Sequence, residues 1–243
     1  MTLVDVDVVV LTWNDGELLG RCLESVRSSH GVRPHVFVVD NGSDEEAVVD
    51  PDVVLLRQPV NLGVARGRNL GAGAGRSPLV CFLDSDARLL PGTLATLAAA
   101  VLAGDDIGLA APVFLDQPPE ASAGRAPGLA RKLARGLGAT SVYAPTRSRS
   151  AGCWEVDFAI GACQLFRREA FEMVAGLDES FFYGPEDVDF CLRLRARGWR
   201  CVQVEGARCE HPPRRRNRRL LTARGLRHAL AIARYLARHR VPA

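Results

Sequence analysis

Apolar runs that stop abruptly at polar clusters set the rhythm of this chain. Asp5–Thr12 (DVDVVVLT) is a β-branched run and reads as a first strand, with Trp13-Asn14-Asp15-Gly16 as the turn after it. Glu17–Ser28 then places Leu18, Leu19, Cys22, Leu23 and Val26 at helical spacing. His35–Val39 is a second apolar run, closed by Asp40-Asn41-Gly42-Ser43-Asp44, and Val53–Leu56 a short third. Strand, turn, helix, strand is the alternation of a parallel α/β sheet. Asn61–Gly75 reads as the approach to and body of a helix made of small residues, able to pack closely on that sheet. Val80–Ala87 (VCFLDSDA) predicts a buried strand that ends in Asp84-Ser85-Asp86. Beyond it the pattern predicts a helix over Pro91–Ala103 with proline in its first turn and a strand over Ile107–Phe114. Apolar alternation returns over Trp154–Phe166. A helix runs from the Glu186-Asp187 pair to Arg197 and is stopped by Gly198, before a last short strand over Arg200–Val204.

Two segments break this rhythm. Residues 117–150 are rich in Pro, Gly, Ser, Ala and Arg and show little periodicity, which predicts a flexible insertion, either a lid or a disordered stretch. The tail opens with RRRNRR and continues with Leu220, Leu221, Leu226, Leu230, Ile232, Ala233 and Leu236 set among arginines. That pattern suits a basic amphipathic helix on a membrane surface, or one that packs on its own domain with its arginines solvated.

Composition changes the picture in three ways. With 243 residues, 47% of them apolar, the chain fits one large α/β domain or two small ones and can bury a substantial core. Its apolar stretches fall short of the ~20 residues a membrane span needs, and its start shows no leader pattern. Seven cysteines without a CxxC pair argue for free thiols in a reducing compartment, and against a disulfide framework or a structural zinc site. The formal charge of +3 hides an asymmetry: residues 214–243 hold ten arginines and no acidic residue, so the remainder carries −7. The basicity belongs to the tail, where phospholipid, nucleic acid or a phosphorylated acceptor would be met.

Candidate chemistry collects just past the strand ends, where open α/β sheets bind ligands. Asp84 and Asp86 flank Ser85 and can offer oxygens to one Mg²⁺ or Mn²⁺; the plain alternative is a loop that caps the next helix. Asp40 can accept hydrogen bonds from a base or ribose, and Gly42 lets the backbone pass close to a ligand; an Asx turn is the alternative there. The glycines of 61–75 hint at a dinucleotide fingerprint, but they precede a strand where that motif should follow one. Arg66, Arg68 and Asn69 could still reach a diphosphate. Gly161-Ala162 would leave room for a substrate. Glu186 and Asp187 either complement a helix dipole or include a general base, and His211 is either a surface histidine or a third metal ligand.

The ordered set TWND, VVDNGSD, NLGVARGRN, FLDSDA, GACQLFRREAF, FFYGPEDVDFCLRLRARGW and a final His resembles family 2 glycosyltransferases, most of all their bacterial rhamnosyltransferase-like branch, over about residues 5–211. The resemblance implies a GT-A fold: a Rossmann-like, mostly parallel central sheet flanked by helices, here over residues 1–213, with 214–243 as a basic C-terminal helix. It implies an inverting transferase that uses a nucleotide-sugar donor and a divalent metal. On the matching positions, Thr12, Asn14 and Asp40 would hold the nucleoside, with Trp13 and Gly42 beside them. Arg68 and Asn69 would lie near the donor. Asp84, Ser85 and Asp86 match the DxD motif, and His211 the histidine that completes the metal site. Gly161 and Ala162 would border the donor sugar, with Asp187 as base and Glu186 assisting the acceptor. dTDP-rhamnose leads among donors, ahead of UDP-sugars. The acceptor is a glycan, a lipid-linked sugar or a natural product, and no nucleic acid is expected. The enzyme is expected in the cytoplasm, with the tail as a peripheral contact at the inner membrane face. The alternatives are a sugar nucleotidyltransferase, for which TWNDGE lacks the signature loop, and a non-catalytic lipid- or nucleic-acid-binding module built on the arginine tail.

Overall fold

Strand β1 (Val4–Thr12) lies inside a sheet covered on both sides, so its valines alternate between two cores instead of between core and water. Val6, Val8 and Val10 enter the core under α1 (Gly16–Arg27) and α3 (Thr93–Leu102), and Val9 enters the core on the opposite face. β2 (Val32–Asp40), β3 (Val54–Arg57) and β4 (Leu79–Asp84) extend the same parallel sheet. The computed structural model describes residues 3–116, 122–126, 149–150, 152–212 and 223–239.

The remaining elements are β5 (Arg88–Leu89), β6 (Ile107–Phe114), β7 (Ala123–Gly124), β8 (Arg149–Ser150), β9 (Cys153–Val156), β10 (Phe158–Ala159), β11 (Cys163–Arg167) and β12 (Arg200–Glu210). The helices are α2 (Val64–Ala74), α4 (Arg168–Met173), α5 (Glu186–Ala196) and α6 (Ala223–Arg238). The main sheet runs β3-β2-β1-β4-β11-β6-β12-β9-β8, with β5 on β12, and β7 pairs with β10 apart from it. β11 is antiparallel to both of its neighbours, so the parallel half made by β1–β4 is joined to the β6–β12 pair through one reversed strand.

Small residues let α2 lie close on the sheet. Gly67 and Gly71 face Leu11 and Val9, and a Cβ at Gly67 would come within 2.5 Å of the Leu11 side chain. On the same face Phe82, Phe166, Phe171 and Phe190 make a ring cluster with centroid separations of 4.7 to 5.9 Å. Each such ring buries area worth about 2 kcal/mol or more. The cluster ties α4 and α5 to β4 and β11. All seven cysteines are free and six are buried, as core fillers.

Several elements differ from the sequence expectation. α3 starts at Thr93 because Gly92, at φ +80°, turns the chain after Pro91. The alternating run over Trp154–Phe166 is three strands, since Asp157 and the Ile160–Ala162 stretch interrupt the pairing. The short helix α4 was not anticipated. The last strand continues well past Val204: its pairing with β6 slips between Val204 and Arg208, so Glu205-Gly206-Ala207 breaks the apolar alternation without ending the strand. The predicted flexible insertion lies mostly outside the described residues; its described parts supply the short paired strands β7 and β8.

Candidate active site

The parallel register aligns the polar strand ends. Thr12 pairs with Asp40, and Leu11 with Asp84, so β1, β2 and β4 finish along one edge. Asp86 and His211 meet there by a different route. β5 begins one residue after Asp86, past Ala87, and runs antiparallel to the end of β12, with Leu89 against Cys209 and Arg88 against Glu210. An Arg88–Glu210 ion pair of 3.2 Å reinforces that register. His211, the residue after β12, is thereby delivered beside the acidic turn.

Ligand atoms from Asp84, Asp86 and His211 all lie within 4.8 Å of one another. His211 Nε2 is 3.5 Å from Asp86 and 3.9 Å from Asp84. Burial disfavours charge on the imidazole, but the Asp86 and Asp84 carboxylates outweigh it and raise the His211 pKa. The field that holds a proton there would equally hold a divalent cation. Two carboxylates and one imidazole form a mixed O/N donor set suited to Mn²⁺ or a related ion, so these residues fit the metal that the sequence implies.

Gly161 joins this cluster to the acidic pair on α5. Its amide donates to Asp187 Oδ2 at 2.9 Å, and its carbonyl accepts from Arg68 Nη2 at 2.7 Å. The same guanidinium nitrogen donates to Asp84 Oδ1 at 2.6 Å, and Nη1 stands 3.9 Å from Glu186. Arg68 is only 3% exposed, so its charge is neutralised by protein carboxylates rather than by water. A side chain at position 161 would run into the guanidinium, which is why glycine stands there. Burial, then the charge of Asp187, pushes the Glu186 carboxyl up to about 7, against the opposing pull of Arg68. Burial also raises Asp187, opposed by the amides of Gly161 and Val188.

Residues 7–174 match the sequence profile described as "Glycosyl transferase family 2". The chain belongs to glycosyltransferase family 2. The transferase is 30% identical over 234 residues to the "N-acetylglucosaminyl-diphospho-decaprenol L-rhamnosyltransferase" of Mycobacterium tuberculosis, a match covering 84% of this chain and 75% of that protein. It is 31% identical over 216 residues to the "Pre-mycofactocin glycosyltransferase" of the same species, covering 86% of this chain but 41% of the relative. Among solved structures, the mannosyltransferase PcManGT from Pyrobaculum calidifontis in complex with GDP-Man and Mn²⁺ superposes with a TM-score of 0.70 at 18% identity, over 100% of this chain and 67% of that one. GalNAc-T7 with UDP, GalNAc and Mn²⁺ gives 0.69 at 16% identity, over 88% of this chain and 44% of that one. The fold is GT-A.

Other residues singled out in the sequence take varied positions in the transferase. Asp40 is buried, and its two oxygens accept the amides of Ser43 at 2.9 Å and Ala47 at 3.2 Å. Burial alone would raise its pKa, but these hydrogen bonds prevail and lower it. Thr12 is buried at the strand end, while Trp13 is exposed beside it. Asn14, at φ 57°, spans to the next loop: its amide donates to Ser43 Oγ, and its side chain bonds Asp44 in both directions. Gly42, at φ +77°, passes so close to Val60 that no side chain fits. Ser85 is buried, with its hydroxyl 3.4 Å from Asp15, and the Ala162 carbonyl accepts the Asp84 amide at 3.0 Å. Both ends of the Asn69 amide are bound to the 177–179 segment, through Leu177 and Glu179. Arg66 is exposed, 3.9 Å from Glu179.

Among the buried polar residues that were not anticipated, three join distant segments. Asn41 knots the 41–44 and 61–63 loops through Asn61, Leu62 and Gly63. Asp7, in the middle of β1, holds Ser77 and Arg168. Asp189 anchors the C-terminal helix, as described below. A charge inside an apolar run was the available signal for Asp7, and Arg193 four residues on was one for Asp189; Asn41 and the Arg238 and His239 partners of Asp189 are joined across distances in sequence that left no local mark.

Among the described residues no helix is long and apolar enough to cross a membrane. The C-terminal half of α6 packs on the domain, with Ala231 and Tyr235 buried in the same core as Phe181 and Phe190, while Leu230 is exposed. The arginine run of 214–219 lies outside the described residues.

Proposed function

We propose that the protein is an inverting glycosyltransferase that moves a sugar from a dTDP-rhamnose-like donor to a hydroxyl of a lipid-linked acceptor, with Asp187 as general base. UDP-sugars are the alternative donors. The observation that carries the reading is the role of Gly161: one residue's amide binds the proposed base, while its carbonyl is bound through Arg68 to the first carboxylate of the metal cluster. Donor and acceptor chemistry thus share one rigid connection. The named activity of the mycobacterial rhamnosyltransferase supports a deoxysugar donor and a polyprenyl-diphosphate acceptor.

The chain's own residues supply most of the requirements. The ends of β1 and β2 with their loops offer Thr12, Trp13 and Asn14 to the nucleoside, and Asp40 orders the loop that follows β2. Asp187 is a half-buried carboxylate whose desolvation raises its pKa, which suits removal of a proton from a hydroxyl as it attacks the anomeric carbon. Glu186 lies next to it and would orient the same hydroxyl. Asp84, Asp86 and His211 would hold a divalent cation, whose chemistry is to neutralise charge on the departing diphosphate. Attack opposite the leaving group inverts the anomeric centre. The basic C-terminal stretch would meet an anionic lipid headgroup or diphosphate, at the cytoplasmic face of the membrane.

The test begins with melting curves in dTDP, UDP, GDP and CDP, each with and without Mn²⁺, since ligands that bind the native state raise the melting temperature. A metal-dependent rise with dTDP supports the donor assignment; a rise with UDP alone moves the donor to that class; no rise with any nucleotide overturns it. Asp187→Asn should abolish transfer while leaving the nucleotide-induced rise intact, and normal turnover in that variant would remove Asp187 as base.

A further inference from the structure

Helix α6 ends on the helix that carries the acidic pair. Asp189 lies two residues beyond Asp187 in the first turn of α5 and is fully buried at 0% exposure. Its carboxylate receives Arg193 Nε from its own helix at 2.7 Å. From α6 and the residue after it come Arg238 Nη1 at 3.2 Å and His239 Nε2 at 2.7 Å. Arg238 also pairs with Asp178 and lies 5.9 Å over the Phe181 ring, and Arg234 donates to the Ser180 carbonyl at 2.9 Å. The 178–185 segment held in this way leads directly into α5. Its Phe182 carbonyl accepts the Val64 amide at 2.8 Å, at the start of the helix that bears Arg68.

A helix that merely covers an apolar surface has no need of these contacts. Desolvating a carboxylate costs several kcal/mol unless it is well paired, and a buried pair gains most in geometric definition. Here burial would push Asp189 up, but His239, Arg193 and Arg238 outweigh it and keep the carboxylate ionised. Arg238 and His239 therefore fix the rotation and height of the first turn of α5. The family match ends at residue 174, before both α5 and α6.

We propose that α6 is a positioning element for sugar transfer: Arg238 and His239, acting through Asp189, hold the first turn of α5 and with it Asp187. This rests on the reading of Asp187 as base, and the test separates the two. His239→Ala, His239→Gln, Arg238→Ala and the control Leu230→Ala, on an exposed site of the same helix, would be made in the full chain. Turnover is measured with dTDP-L-rhamnose and a short polyprenyl-diphospho-N-acetylglucosamine. Hydrogen exchange of residues 186–190 is followed with β1 and β4 as internal references.

Small displacements of a reacting group cost large factors in rate. His239→Ala and Arg238→Ala should each lower kcat about tenfold, leave KM for the donor within about twofold, and speed exchange at 186–190 but not in β1 or β4. His239→Gln, which keeps a hydrogen-bond donor, should recover most of the rate, and Leu230→Ala should match the parent. A lower melting temperature with unchanged kcat, or unchanged exchange at 186–190, overturns the positioning role. Should Asp187→Asn turn over normally, the base assignment fails, while the exchange data still decide whether α6 holds α5. The exchange reading needs no turnover, so it also decides the question if these substrates prove inactive.

Discussion

Replacing Glu186 by glutamine should make the transferase more stable at alkaline pH and flatten its stability profile. Glu186 is 5% exposed, has one carboxylate oxygen without a hydrogen-bond partner, and faces Arg68 only at 3.9 Å. Its pKa rises from an ordinary 4.5 to about 7 because burial and the neighbouring Asp187 penalise the ionised form more than Arg68 favours it. The folded state therefore holds this proton more tightly than the unfolded chain. Its stabilising effect is complete below about pH 4.5, shrinks as pH climbs through 7, and is gone above that. The full effect is about 3 kcal/mol, of which about 2 kcal/mol is lost between about pH 5.5 and pH 8.5. Glutamine has no proton to lose there, and Asp187 also sheds a like-charged neighbour. Urea unfolding of parent and Glu186→Gln at both pH values reads the difference, since the titrating groups outside the Glu186–Asp187 pair are shared. The variant should gain about 2 kcal/mol over the parent on going from the lower to the higher pH, or about 4–8 °C in melting temperature. Parallel pH dependences in the two proteins would refute the buried, proton-retaining carboxyl. The expected cost is activity, since Glu186 lies beside the proposed base.

Two further outcomes bear on the site. His211→Ala should leave the fold intact but weaken the Mn²⁺-dependent part of the nucleotide-induced melting shift by about tenfold in metal concentration, read by titrating Mn²⁺ at fixed nucleotide; an unchanged titration would take His211 out of the metal set. Gly161→Ala should drive a methyl into the Arg68 guanidinium, destabilise by about 1–3 kcal/mol and abolish transfer; urea melts and an activity assay read both, and a fully active variant would break the proposed coupling through Gly161.

Much of this architecture is written locally. The valines of β1, the apolar run of β4 and the small residues of α2 each specify an element, because strand and helix periodicities and the absence of side chains act over a few residues. The acidic residues of the 84–86 and 186–187 motifs were legible for the same reason: each lies at the end of an element whose type could be read. What tertiary structure decided is how those ends meet. The reversal of β11, the continuation of β12 past its slipped register and the pairing of β5 with β12 bring His211 to Asp86, and hydrogen bonds between distant strands leave no period in the chain. Arg68 read as able to reach a diphosphate from its place in a glycine-rich stretch; that folding also sets it as the buried counter-charge between Asp84 and Glu186 had no local sign. The tail helix read either as a membrane-surface element or as one packed on its own domain, and only the tertiary structure showed that Arg238 at its end pairs with Asp189. Charge sets which groups attract in low dielectric, but the fold alone sets which of them are near enough to do so.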